Sequence, residues 1–403
     1  MIPVTEAVRI VVEKTEPLGA ERVPLDEALG RVLAEDIFAD TDLPPFDRAQ
    51  MDGYAVRSGD LRETPARLRV VGEAAAGSGW RGTLQTGEAV RIMTGAPLPA
   101  GADSVQQVEV TRETEGSEVV EVERATEPGQ FYVTRGSEVR SGERVLEAGE
   151  EINAARMAVL ASFGYAAVPV RKRPRVAVLA TGTELVPVAE RPGEDQIRDS
   201  NSYSLAAYAR LAGASVERMP FAGDDPELLR DEIERAATRS DLLVLSGGVS
   251  MGRYDFTKTA LHALGAELFF ERVALRPGKP TVFARLPGGV LVFGLPGNPV
   301  SVSVTFNLFA RTALRVMQGA RDAAPFEETA ILSRPAKGAA ERASYMPAAL
   351  STDPEGRLLA EPLRWGGSSD FVAFARATAL VIVPAGVKLV EAGSVVKVVR
   401  LPV

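Results

Sequence analysis

The sequence predicts a multidomain protein of α/β plus β class. Its parts are an N-terminal segment that opens with an amphipathic helix, a mainly β module, a doubly wound α/β domain and a small C-terminal β domain. Residues 175–318 alternate short apolar runs with helical stretches, the pattern of βαβ units around a parallel sheet. Residues 66–150 and 321–403 instead carry brief apolar runs punctuated by turn residues. The chain has 403 residues, 45% hydrophobic and 25% charged, enough for about two to four domains with cores of their own.

The elements follow in chain order. Val4, Ala7, Val8, Val11 and Val12 recur at helical spacing, and Pro17-Leu18-Gly19 stops that helix. A short helix over Leu25–Leu29 ending at Gly30 and a strand over Val32–Phe38 are expected next. The stretch Asp40–Ala55 is too rich in Pro and Asp for an element interior and reads as a loop carrying function. The β module has expected strands at Leu68–Val71, Ala89–Met93, Val105–Val110, Val119–Val122 and Phe131–Val133, with charged Arg112–Glu127 an exposed hairpin. Helix returns over 150–164.

Inside the α/β domain the runs Val176–Leu179, Leu242–Leu245 and Val290–Phe293 have the length and two-sided apolarity of buried parallel strands. Each breaks into a glycine turn: Thr181-Gly182-Thr183-Glu184, Ser246-Gly247-Gly248, and Gly294-Leu295-Pro296-Gly297-Asn298-Pro299. A fourth turn, Phe221-Ala222-Gly223-Asp224-Asp225, brings two acids. In an open parallel sheet these turns lie at the carboxyl edge, where such folds bind ligands. Glycines there admit close approach of a phosphate-like anion, although most glycine turns are turns alone. Asp225-Pro226 and Asn298-Pro299 each place a cap residue before a proline at a helix start; the second helix runs on to Gly319. Capping and anion binding are both open for each pair. After Arg321, strands are expected at Thr329–Leu332, Leu358–Pro362, Ala379–Val383 and Val395–Val399.

Composition narrows the chemistry. There is no cysteine, so thiolate nucleophiles, disulfides and Cys-type zinc sites are excluded. The single histidine, His262, has no partner histidine for a metal and is expected on a helix surface. A net charge of −8 argues against bulk nucleic-acid binding. No apolar run approaches membrane-spanning length and no signal segment opens the chain, so a cytoplasmic location is expected. Only 7 of 46 basic residues are lysine, which draws attention to Lys258 and Lys279. Asparagine occurs only at 153, 201, 298 and 307.

Glu184, Asp224, Asp225 and Asp255 collect at the inferred sheet edge, and Asp52 could join them from elsewhere. An oxygen-rich acidic set of this kind suits magnesium shared with substrate phosphates. Opposite stands Arg276-Pro277-Gly278-Lys279-Pro280, a cation pair on a stiff loop able to hold a tetrahedral oxyanion or a phosphate. No Ser/His/Asp set exists for covalent catalysis. Metal-assisted phosphoanhydride cleavage or oxyanion transfer remains.

These motifs, with Met51-Asp52-Gly53-Tyr54-Ala55, Arg91-Ile92-Met93-Thr94-Gly95-Ala96-Pro97, and Ser246-Gly247-Gly248-Val249-Ser250 followed by Asp255-Phe256-Thr257-Lys258, resemble the molybdopterin molybdenumtransferase family. That family includes the C-terminal domain of gephyrin, and the motifs keep its order over nearly the whole chain. The resemblance implies a four-part subunit: a discontinuous N-terminal domain, 1–40 with 141–170; a mainly β module inserted in it, 41–140; the α/β molybdopterin-binding domain, 171–320; and the C-terminal β domain, 321–403. It further implies an elongated homodimer whose active site draws on both subunits. It also implies magnesium-dependent use of adenylylated molybdopterin and molybdate with release of AMP, and a possible molybdopterin adenylyltransferase partner. By position it assigns catalytic roles to Asp52, Thr94, Glu184, Asp255 and Lys279, and metal binding to Glu184, Asp224, Asp225 and Asp255. Ligand binding falls to Gly182, Ser246, Gly247, Gly248, Ser250, Arg276, Pro296, Gly297, Asn298 and Pro299, with Ser301, Arg342 and Ser369 as looser matches to oxyanion-binding positions. Two departures stand out: Arg276 occupies a position commonly lysine, and Gly136-Ser137-Glu138 replaces Gly-Glu-Asp. The alternatives are molybdopterin adenylyltransferase, usually the α/β domain alone, and a gephyrin-like scaffold without enzymatic activity.

Overall fold

A computed structural model describes residues 1–113, 116–223, 225–249, 256–364 and 366–402. Its contacts divide the chain into two compact units. The first comprises Met1–Glu35, Ala148–Ala154 and Ala167–Val403; the second comprises Asp36–Glu147 and Ala155–Ala166.

The first unit contains a six-stranded sheet. Its strands are β1 (Arg175–Ala180), β2 (Ser215–Arg218), β3 (Leu242–Ser246), β4 (Glu267–Arg272), β5 (Pro280–Arg285) and β6 (Leu291–Leu295), in the order β2-β1-β3-β6-β5-β4. The first four in that order are mutually parallel, and β5 and β4 add an antiparallel edge. Every residue of β3 and β6 is buried, as their unbroken apolarity requires of central parallel strands. Alternate side chains feed two cores. Val176, Val178, Leu242, Val244 and Phe293 pack with α1 (Val4–Lys14), α2 (Asn201–Leu211) and the helical run from Pro299 to Met317. Ala177, Leu179, Leu243, Leu245 and Val292 pack with α3 (Pro226–Ala237) and α4 (Phe256–Ala263). The sheet is therefore wound on both faces. Strand order reverses between β1 and β3, which opens a crevice at their carboxyl ends.

The same unit carries a small barrel. Strands Glu327–Leu332, Ala343–Thr352, Leu358–Pro362, Ala379–Val383 and Val395–Arg400 close on themselves through the pairing of Ala343–Thr352 with Ala379–Val383. Ala330, Ala348, Ala360, Ala379, Val381 and Val398 fill its narrow interior. A two-residue strand, Leu275–Arg276, pairs with the start of Ala343–Thr352 and pins the basic loop to the barrel.

The second unit holds another six-stranded sheet, in the order Ser104–Gln107, Gly53–Val56, Glu88–Ile92, Ala66–Ala74, Val119–Val122 and Thr111–Glu113. Val90, Ile92 and Val105 core one face; Tyr54, Leu61, Leu68 and Val120 core the other.

Several local expectations change. Leu25–Leu29 makes only a 3-10 turn, Leu25–Glu27. The strand expected over Val32–Phe38 reduces to isolated bridges at Val32 and Leu33 and a strand Ile37–Phe38, because those bridges go to different partners, Glu151 and Val170. The strand expected to reach Val110 ends at Gln107, where the Val108 N–H donates to the Asp52 carbonyl and a 3-10 turn follows. The long helix to Gly319 is broken by a π-helical turn, Phe306–Ala310, between Pro299–Thr305 and Arg311–Met317. His262 lies exposed in the last turn of α4.

Candidate active site

In the first unit the crevice opens into a cavity of about 900 Å³. Three strand ends build its floor. Thr181 and Gly182 follow β1, Ser246, Gly247 and Gly248 follow β3, and Pro296, Gly297, Asn298 and Pro299 follow β6. Glu184 lines the same cavity, and Ser369 and Phe371 reach it from the connection between barrel strands Leu358–Pro362 and Ala379–Val383.

The glycines of β3's turn are demanded by close approach. A Cβ on Gly247 would lie 2.4 Å from the Thr181 carbonyl oxygen, and one on Gly248 would lie 2.8 Å from Thr257 Oγ1; their φ values are +93° and +62°. The Gly247 N–H is already committed, donating to the Leu295 carbonyl at 3.1 Å. Gly182 likewise donates to Ala222 at 3.1 Å. Backbone density, more than a ring of open N–H donors, is what these glycines supply.

Asn201, at the start of α2, ties the floor together. Its Nδ2 donates to Ser246 Oγ at 2.9 Å and to the Gly297 carbonyl at 2.7 Å, joining the turns after β3 and β6. Its Oδ1 is buried without a partner among the described residues. Asp199, two residues earlier, is spent on the Ser202 N–H and hydroxyl. Sequence reasoning missed Asn201. Its signal was the scarcity of asparagine and its place just after an acid at a helix start.

The two cap pairs separate. Asp225 caps α3, accepting from Glu227 N at 2.9 Å and Leu228 N at 3.3 Å, and does not line the cavity. Asn298 does not cap its helix; its Nδ2 donates to Ser368 Oγ at 2.9 Å, while Val300 N donates to the Ser368 carbonyl at 3.0 Å. These bonds dock the Ser368–Phe371 segment onto the turn after β6.

Glu184 is exposed, and its carboxylate has no hydrogen bond or ion pair among the described residues. Half-buried Lys279 likewise has no hydrogen bond or ion pair on its ammonium among the described residues, and its neighbour Pro280 lines the cavity. Arg276 reaches the Gly338 carbonyl and Arg342 the Leu275 carbonyl, both at 3.5 Å and neither with a carboxylate partner among the described residues. Arg276, Lys279, Arg342 and buried Ser301 do not line the cavity itself. Asp224, Ser250 and Asp255 lie outside the described residues. Lys258 pairs with Glu271 at 3.2 Å.

In the second unit, antiparallel pairing of Gly53–Val56 with Glu88–Ile92 brings the residues flanking their ends together. Asp52 Oδ1 accepts from Thr94 N at 2.7 Å and from Thr94 Oγ1 at 2.6 Å. The Thr94 hydroxyl, then its N–H, hold the exposed Asp52 carboxyl below its ordinary value. Two residues 42 apart in sequence, both expected at the site, meet in one charge-assisted pair.

Fold and cavity define a multidomain α/β protein with an open crevice at the reversal point of a parallel sheet. The chain belongs to the molybdopterin molybdenumtransferase family. Family descriptions match in sequence order: "MoeA N-terminal region (domain I and II)" over residues 2–164, "Probable molybdopterin binding domain" over 177–316, and "MoeA C-terminal region (domain IV)" over 329–401. Molybdopterin molybdenumtransferase of Bacillus subtilis is 36% identical, with 99% of this chain and 94% of that protein covered. That of Staphylococcus aureus strain COL is 34% identical over 99% and 95%. A solved molybdopterin biosynthesis MoeA protein from Pyrococcus horikoshii superposes with a TM-score of 0.83 at 33% identity, covering 99% of both chains. Among the described residues no helix is long and apolar enough to cross a membrane.

Proposed function

We propose that this protein performs the molybdenum-insertion step of molybdenum cofactor biosynthesis, taking adenylylated molybdopterin and molybdate and releasing AMP. The observation that carries the reading is the cavity at the β1/β3 reversal, floored by Gly182, Gly247, Gly248 and Gly297 and edged by Glu184, whose carboxylate is unpaired among the described residues. A nucleotide-bearing pterin has the size and anionic character for such a crevice. Molybdate, a tetrahedral dianion, suits the Arg276, Lys279 and Arg342 group, which has no carboxylate partner among the described residues.

Magnesium fits the donors. It is commonly held by one or two carboxylates together with substrate phosphates, and Glu184 offers one unpaired carboxylate at the cavity. Asp255 and Asp224, outside the described residues, would complete the set. Asp225 fits less well because one of its oxygens already caps α3. The described residues contain no group of three or more potential ligands. Bound there, the ion would neutralise charge on the phosphoanhydride. Glu184 would anchor that charge, the glycine turns would seat the phosphates, and the basic loop would orient the oxyanion. A cytoplasmic homodimer supplied by a molybdopterin adenylyltransferase belongs to the same proposal.

The test is AMP release from adenylylated molybdopterin by purified protein with magnesium, with and without molybdate. Release that depends on molybdate supports insertion; adenylylation of molybdopterin from ATP would replace it. Lys279→Ala is expected to raise the half-saturating molybdate concentration about tenfold or more while changing that for the pterin less, as loss of a charge-assisted contact requires. Equal shifts in both would assign the loop to phosphate instead.

A further inference from the structure

Asn201, Ser246 and Gly297 all line the crevice after β1, β3 and β6, and the contact among them has a polarity. Asp199 fixes the start of α2, accepting from the Ser202 N–H at 3.0 Å and from the Ser202 hydroxyl, and so holds Asn201 beside the turns after β3 and β6. Asn201 Nδ2 donates to the Gly297 carbonyl at 2.7 Å and to Ser246 Oγ at 2.9 Å. A carbonyl oxygen only accepts, so the amide has one orientation; flipped, Oδ1 would stand against the Gly297 oxygen. In that orientation Oδ1 is enclosed, has no partner among the described residues and presents no surface to a ligand. Whatever the amide supplies to the crevice therefore passes through Nδ2.

Ser246 has little freedom of its own. Its backbone pairs with Ala180 of β1 and Leu295 of β6, and its carbonyl accepts from the Thr181 N–H at 2.8 Å. What remains is rotation of the hydroxyl. A serine hydroxyl carries one proton and accepting lone pairs. Because Oγ accepts from Asn201, its proton points elsewhere, and no protein acceptor takes it among the described residues. At a residue that borders the crevice, a ligand oxygen on the floor is the acceptor that the geometry leaves.

We propose that Asn201 is a positioning residue: by holding the Ser246 oxygen as an acceptor, it commits the Ser246 hydroxyl to donate to a phosphate oxygen of the ligand. The inference rests on the nucleotide-bearing ligand proposed above. An ionised phosphate has no proton to give, so a hydroxyl free to turn either way would present it with a lone pair part of the time. The amide removes that misorientation and, through Gly297, keeps the turn after β6 against the turn after β3.

Isothermal titration of the full chain with AMP and magnesium, at about pH 8 where the phosphate is fully ionised, tests this. Asn201→Ala is expected to weaken AMP binding about threefold or more, the loss of one oriented hydrogen bond. Asn201→Asp, nearly the shape of asparagine, is expected to weaken it about tenfold or more, because its carboxylate draws the Ser246 proton away from the ligand. A side chain that only spaces the turns would be served better by aspartate than by alanine, so aspartate binding AMP as well as alanine or better overturns the proposal. In a Ser246→Ala background the Asn201→Ala loss is expected to shrink below about twofold; an undiminished loss means that Asn201 works without Ser246 and overturns it too. If Asn201→Asp fails to fold, Asn201→Ala with and without Ser246→Ala still decides. Molybdate-dependent AMP release judges the function separately. A wild type that releases AMP in that way but binds it no better than Asn201→Ala keeps the function and loses the positioning role. One that binds AMP with the expected ranking and releases none keeps the role and loses insertion, and a wild type that takes up no AMP overturns the role.

Discussion

At the scale of single residues, Asp52 and Gly247 show two ways a side chain, or its absence, is fixed. Asp52 is ionised and held by two donors of Thr94. Its folded-state pKa is below the ordinary carboxylate value, so the pair stabilises the fold above that value and ceases to as pH falls through the folded one. Thr94→Val removes the larger of the two causes and leaves the N–H. The gap in melting temperature between wild type and variant is therefore expected at neutral pH and should begin to narrow as pH falls below about 4, closing as pH passes through the lower folded-state value. A gap that persists undiminished at pH 2.5 would show that ionised Asp52 is not what Thr94 serves. Gly247→Ala adds a methyl 2.4 Å from the Thr181 carbonyl at φ +93° and is expected to cost about 1–3 kcal/mol in chemical denaturation. The sequence displayed both positions as motif members. What it withheld was mechanism: the turn's glycines read as room for a phosphate-like anion, whereas the Gly247 N–H is used within the sheet's own loops. Backbone hydrogen-bond partners depend on which strands become neighbours, and composition does not carry that.

At the scale of elements, apolar runs were legible wherever burial is two-sided. β1, β3 and β6 lie where Val176–Leu179, Leu242–Leu245 and Val290–Phe293 predicted them, to within a residue or two. One-sided or short elements were less so, as at Val32–Phe38, because a bridge of one residue leaves no periodicity. The identical Asx-Pro signals at 225 and 298 could not be told apart by local chemistry. Asp225 caps its helix, while Asn298 has Ser368 within reach, 70 residues away. Ser368→Ala breaks that contact but keeps the backbone bond from Val300. The segment bearing Ser369 and Phe371 should then seat less firmly, raising KM for the adenylylated substrate about three- to tenfold, the loss of one modest hydrogen bond. An unchanged KM would mean that the segment borders the cavity without shaping it.

At the scale of the whole first unit, the α/β sheet and the barrel are not independent bodies. One apolar cluster contains Val4 and Val11 of α1, Phe283 and Phe293 of the sheet, Phe306 and Phe309 of the π-turn, and Tyr345, Leu380, Val399 and Leu401 from the barrel side. Tandem runs in the sequence suggested separable domains, since the strand and helix patterns change character near residue 321. The merging of their cores was not visible there because it joins residues nearly 400 positions apart, such as Val4 and Leu401. A shared core transmits damage in both directions. Leu380→Ala, at a fully buried position, is expected to cost about 2–5 kcal/mol. Native-state hydrogen exchange should show that cost in the amides of β3 as well as those of Ala379–Val383, because opening the barrel side uncovers the face on which the sheet rests. Faster exchange confined to the barrel strands would show instead that the α/β domain keeps its stability alone. In that case the cluster would be only a contact between two self-sufficient domains, and residues 171–320 should fold when expressed by themselves.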